Sequence, residues 1–125
     1  MQYSRIVTDY FARPANAGEL PDGQGGVFRG AAGDREHGTE VVFHLRPANG
    51  EIAAISFQAF GCPHTIAACS LATEQLVGQP VEALVELTAA SLADAIGAPV
   101  EKMGRMLIVE DALRNCFIAW DNRQV

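Results

Sequence analysis

The feature that most constrains this chain is a change of hydrophobic period at Gly61-Cys62-Pro63. Before it apolar residues alternate; after it they recur every three to four residues, so a strand must hand over to a helix at that corner. Over residues 39–46, Val41, Phe43 and Leu45 share one face, with Val42 and His44 on the other. Pro47-Ala48-Asn49-Gly50 is a hairpin signal, because Asn-Gly tolerates the positive φ of a tight turn. The returning strand spans 52–60, with Ala53, Ile55, Phe57 and Ala59 alternating against Ala54, Ser56, Gln58 and Phe60. A shorter strand is expected over 27–32.

Past the corner, Pro63 suits the first helical position, where its missing N–H costs nothing. Ile66, Cys69, Thr73, Leu76 and Val77 form the inward stripe of that helix, and Gly78 stops it. Two short helices are expected over 81–87 and 91–96, with Thr88 and Ser91 as caps. After the break at Gly97-Ala98-Pro99, a last helix over about 102–122 presents Met106, Val109, Leu113, Cys116, Phe117 and Trp120. At the other end, Tyr3, Ile6, Val7, Tyr10 and Phe11 share one helical face that stops before Arg13-Pro14. Residues 15–26, rich in Gly, Pro, Asn and Asp, read as a surface loop. The class is α+β: an N-terminal helix, a small three-stranded antiparallel sheet, then a helical C-terminal half packed on one face.

At 125 residues the chain fits a single domain over 1–125, and 49% hydrophobic residues supply a core. Nine basic residues against fifteen acidic ones, a net charge of −6, exclude a generic nucleic-acid binder. No apolar run approaches the roughly 20 residues that span a bilayer. Met1-Gln2-Tyr3-Ser4-Arg5 lacks the apolar core of a signal peptide. Three cysteines do not make a disulfide scaffold, so a reduced, cytoplasmic protein is expected.

Cys62 is the residue on which chemistry converges. At the end of a strand and just ahead of a helix, its sulfur meets free N–H groups and the positive end of the helix dipole, which lower a thiol pKa. Gly61 lets the backbone turn and leaves one side of the sulfur open, and His64 follows two residues on. Cys69 and Cys116 lie on apolar helix stripes and read as small core residues. Cys62 and Cys69 stand two helical turns apart, about 10 Å at roughly 1.5 Å per residue, too far for one metal ion. Between the strands, Gly33-Asp34-Arg35-Glu36-His37-Gly38 reads as a flexible turn displaying Asp34 and His37, and His44 as a surface or satisfied histidine.

Several segments, in order along nearly the whole chain, carry a resemblance. Tyr3-Ser4 with its helix and Arg13-Pro14-Ala15-Asn16-Ala17-Gly18 resemble the opening of the NifU N-terminal/IscU-type iron–sulfur cluster scaffold family. Ala31-Ala32-Gly33-Asp34 is similar to that family's Ala-Cys-Gly-Asp. Phe60-Gly61-Cys62 with Thr65-Ile66-Ala67-Ala68-Cys69-Ser70-Leu71 resembles its Tyr-Gly-Cys segment and the helix that follows. Glu110-Asp111-Ala112-Leu113 matches its last helix.

The resemblance implies a site built from three cysteines, an Asp beside the first and a His before the third. Carried over by position, the first cysteine falls on Ala32, the acid on Asp34 and the second cysteine on Cys62. The histidine falls on Gly104 and the third cysteine on Arg105. The spacing from Cys62 to Arg105 leaves no room for the long insertion of the zinc-dependent SufU branch. The family's Leu-Pro-Pro-Val-Lys chaperone motif stands here as Ala98-Pro99-Val100-Glu101-Lys102.

An iron–sulfur cluster is normally held by about four protein ligands, and structural zinc also takes four. Asp34 and Cys62 supply two; His37 or His64 adds to them only if the loop folds inward. Arg105 places a fixed positive charge at a ligand position. The expectation is that it stands in for the metal, pairing with Asp34 and stabilising the Cys62 thiolate. An iron–sulfur cluster or zinc is implied by resemblance, either held in one chain or shared through Cys62 between two, or the site holds no metal at all.

Three functions follow. The first is a non-enzymatic scaffold of iron–sulfur cluster assembly with Cys62 as sulfur acceptor or ligand. By resemblance its partners are a cysteine desulfurase and an Hsp70-type chaperone, and it is a monomer or weak homodimer. The second is a cluster-free accessory module for the same machinery. The third is an unrelated thiol enzyme using His64 or His37 as base.

Overall fold

The computed structural model describes residues 3–21 and 26–124. Its helices are α1 (Arg5–Ala12), α2 (Pro63–Leu76), α3 (Ala89–Ile96) and α4 (Met103–Asp121), and its strands β1 (Phe28–Asp34), β2 (Thr39–Ala48) and β3 (Glu51–Phe60). Residues 22–25 of the expected loop, and the first two residues of the chain, lie outside this description. The strands form one antiparallel sheet in the order β1-β2-β3. No helix of the described residues is long and apolar enough to cross a membrane.

The hairpin turns at Asn49 and Gly50, with φ of 54° and 77°, the conformation that a two-residue Asn-Gly turn needs. Phe43 lies opposite Phe57, their ring centroids 6.4 Å apart, at the centre of the buried face. Alternation fails at the start of β3, where Ile52 is buried and Ala53 exposed, reversing the expected phase. Arg46 pairs with Ala54 and Pro47 with Ile52, so Ala53 is one residue too many for its partner strand. That bulge switches the faces, and Pro47, with no N–H for the ladder, sits beside it.

On the opposite face His44 and Ser56 are buried too. Residues 16–18 run beside β3, Asn16 O accepting from Phe57 N and Gly18 N donating to Phe57 O, and the Arg46 guanidinium donates to Pro21 O. His44, read from sequence as a surface or satisfied histidine, is buried and only half satisfied: Nε2 lies 2.9 Å from Gln58 Oε1, while Nδ1 is buried without a partner.

α4 packs across β1 and β2, burying Met106, Val109, Ala112, Leu113 and Cys116, with Phe117 and Trp120 partly covered. Its backbone lies so close to β1 that a Cβ on Gly30 would fall 2.0 Å from Cys116 N. Asn115 Nδ2 donates to Ala31 O at 2.8 Å, occupying a carbonyl of β1.

α2 corrects the expected single stripe. His64, Thr65, Ala67, Ala68, Cys69, Ser70, Ala72, Thr73 and Leu76 are all buried, whereas Val77 is half exposed. A helix of mostly small residues is enclosed nearly all round, by α1, β3, α3 and α4. α1 corrects the opposite way: of its expected apolar face only Val7 is buried, and Tyr3, Ile6 and Phe11 remain exposed. Ser4 caps α1 from outside the helix, its Oγ accepting from Val7 N at 3.2 Å and donating to Ile96 O at 2.6 Å. Residues Val81–Val85 are a 3₁₀ turn and not an α-helix. Thr88 caps α3, and Ser91, the other expected cap, lies inside it.

Candidate functional site

The end of β1 and the end of β3 lie at the same end of the sheet, since Asp34 pairs with Thr39 and Phe60 with Glu40. α2 starts at that end, and the first turn of α4 brings its charges to bear on it. Cys62 is the N-cap of α2 and Pro63 follows within its first turn, as the period change predicts. A Cβ on Gly61 would fall 2.9 Å from Thr65 Oγ1, so glycine there lets the Thr65 side chain close over the corner.

The Cys62 thiol is partly exposed and lies 3.7 Å from Thr65 Oγ1. Burial opposes its ionisation. The Thr65 N–H, the Thr65 hydroxyl, the His64 N–H and the charge of Lys102 together outweigh that burial and hold the thiol below its ordinary value. Cys69 and Cys116 are fully buried, as expected of core residues. Burial pushes Cys116 to about 12 and Cys69 higher still, so neither is a thiolate at neutral pH.

Asp34 is the last residue of β1 and the cap of a 3₁₀ turn, Arg35–His37, and does not stand on a flexible loop. Its Oδ1 accepts from His37 N at 2.8 Å, and both carboxylate oxygens lie 2.7–2.8 Å from His37 Nδ1. The His37 side chain, followed by its backbone N–H, lowers the Asp34 pKa. The expected Asp34–Arg105 pair is therefore corrected: among the described residues Asp34 pairs with His37, and Arg105 forms no ion pair. The cation that acts on the thiol is Lys102.

His64 is 1% exposed, its ring against Tyr3 with centroids 5.0 Å apart. Burial, then the charges of Lys102 and Arg105, lower its pKa and so favour the neutral imidazole. No histidine side chain hydrogen-bonds to the Cys62 sulfur among the described residues, so the geometry offers no imidazole base for a Cys–His thiol enzyme.

Ala32 lies within β1, partly buried against the core, and Gly104 is exposed in the first turn of α4. Among the described residues no three of His, Cys, Asp and Glu come together as a donor set for a metal ion. The donors present do not fit a metal retained by one chain.

Two residues that touch the chemistry escaped the sequence reading. Thr65 was legible in principle, because a hydroxyl three residues after an N-cap faces that cap. Lys102 lay in a segment singled out for another reason.

These features define a class: an α+β domain in which a three-stranded sheet delivers one accessible cysteine to the start of a buried helix. The chain matches the family described as "NifU-like N terminal domain" over residues 2–125, and belongs to it. It is similar to the iron–sulfur cluster assembly scaffold protein IscU 1 of Archaeoglobus fulgidus, 33% identical over 117 residues, covering 93% of this chain and 74% of the relative. It is 31% identical over 115 residues to the iron–sulfur cluster assembly scaffold protein IscU of Rickettsia prowazekii, covering 91% and 88%. The fold is shared with the N-terminal NifU-like protein of Brucella abortus, at TM-score 0.71, 12% identity and coverage of 95% and 94%.

Proposed function

We propose that this chain is a non-enzymatic, scaffold-type protein of iron–sulfur cluster assembly that takes up sulfur at Cys62. The single observation that carries the reading is the Cys62 corner. It holds the only partly exposed cysteine, with two N–H groups, a hydroxyl and a lysine favouring its thiolate. Family membership supplies the process. Asp34 stands beside this end of the sheet, held on its turn by His37.

The donor we assign is a cysteine desulfurase, and the setting is the cytoplasm, where thiols stay reduced. An Hsp70-type chaperone is the second partner. The Val100–Lys102 turn, with Val100 80% exposed, is the segment open to it.

A second reading, a cluster-free accessory module, is favoured by the lack of a three-donor group among the described residues. Incubation with a cysteine desulfurase and sulfur-labelled cysteine separates the two. Label on Cys62, absent from Cys62→Ser, is the expected result. Stable binding to the desulfurase without label transfer supports the accessory reading instead.

A further inference from the structure

The start of α4 carries two cations that reach the Cys62 corner, Lys102 acting on both Cys62 and His64 and Arg105 on His64. Lys102 ends the Val100–Lys102 turn as the N-cap of α4, and Arg105 lies in the first turn. Neither has an anionic partner among the described residues: Asp34 is engaged by His37, and the remaining ion pairs are Arg35–Glu40 and Arg114–Glu110.

Two nitrogens there are buried without hydrogen-bond partners, Arg105 Nε and His64 Nδ1. Arg105 does not lose its proton, so its Nε–H is a donor lacking an acceptor. His64, 1% exposed, sits in the first turn of α2 beside Cys62, and the charges of Lys102 and Arg105 both reach it. A metal cation would meet uncompensated positive charge here, whereas an anion would meet the Arg105 Nε–H, a donor in need of an acceptor.

We infer that the Cys62 corner is an acceptor for anionic sulfur that works without a metal ion, Lys102 and Arg105 balancing the charge of a persulfide carried on Cys62. This deepens the reading of Cys62 as a sulfur acceptor and rests on it.

The step balances without an added oxidant or reductant. The Cys62 thiolate attacks the outer sulfur of a donor persulfide. The new S–S bond forms on Cys62 as the donor's S–S bond breaks, and the donor cysteine leaves as a thiolate. The hydrogen on the transferred sulfur is then lost to solvent, leaving the terminal sulfur negative. The donor cysteine is reduced as Cys62 is oxidised.

The test uses the full chain, handled anaerobically. The protein is exposed to Zn²⁺ or Fe²⁺ alone, desalted and analysed for metal. In parallel, metal-free protein is given a cysteine desulfurase with cysteine, and the Cys62 persulfide is followed by mass spectrometry in wild type, Lys102→Gln and Arg105→Gln. Circular dichroism confirms that each variant is folded. The expected results are metal well below one ion per chain, persulfide formed in full without metal, and a persulfide lifetime shortened several-fold in both variants.

Stoichiometric metal retained by wild type and lost in Cys62→Ser overturns the metal-free site, while labelled Cys62 would still uphold sulfur uptake. A lifetime unchanged in both folded variants overturns the role of the cations. No persulfide under any condition overturns the sulfur-acceptor reading and this inference with it.

Discussion

Replacing Thr65 by valine removes one hydroxyl from beside the Cys62 sulfur while keeping a buried, β-branched side chain of the same shape. Thr65 is fully buried, and its Oγ1 lies 3.7 Å from Cys62 Sγ. When the thiol ionises, that hydroxyl donates to the thiolate. A hydrogen bond to a charged group contributes about 1.5–3 kcal/mol. The Sγ–Oγ1 separation, long even for sulfur, places this one at the low end. At about 1.4 kcal/mol per pKa unit, Thr65→Val should raise the thiol midpoint by about one unit.

Below both midpoints the thiolate fraction then falls about tenfold. Thiolate reactivity rises with pKa at a slope of about 0.4–0.5, which restores roughly threefold, so alkylation slows about three- to fourfold. The assay is the pH dependence of iodoacetamide labelling at Cys62, resolved by peptide mass spectrometry. The wild-type midpoint should lie below that of an ordinary cysteine, because the folded state favours the thiolate. The stability linked to that ionisation is present above the unfolded-state pKa and is lost as pH falls through the folded one. Thr65→Ser, which keeps the hydroxyl, should return the midpoint toward wild type. A Thr65→Val midpoint equal to or below the wild-type value would refute the assignment.

Thiol titration of the native protein should count one reactive cysteine, rising to three in denaturant, because Cys69 and Cys116 are buried and protonated. Gly30→Ala should destabilise the fold by about 3 kcal/mol or more, an overpacking cost at the top of its usual range, read from urea midpoints. The added methyl would fall 2.0 Å from the α4 backbone. Ser4→Ala should cost about 1–2 kcal/mol in the same measurement, since Ser4 both caps α1 and ties it to the carbonyl of Ile96.

Where local chemistry decided the outcome, the architecture was legible. The Asn49-Gly50 turn, the alternation of β2 and the Pro63 start of α2 need no distant partner to be read. The misreadings lie where tertiary contacts override period. Ala53 looks like any alternating residue until the partner strand makes it a bulge. α2 looks like a weakly apolar one-sided helix because its enclosed residues are small. α1 has an apolar face that the rest of the fold leaves open. At the site, Cys62 was readable because a cysteine at a strand-to-helix corner has a local electrostatic consequence. The nearness of Lys102, in contrast, depends on how α4 docks, and Asp34 chose a partner three residues away over the distant Arg105.

The most direct measurement is intact mass spectrometry of the metal-free protein after incubation with a cysteine desulfurase and cysteine. Sulfur uptake at the corner predicts a gain of one sulfur, mapped to Cys62 and abolished by Cys62→Ser. No gain, or a gain mapped to Cys69 or Cys116, would contradict it.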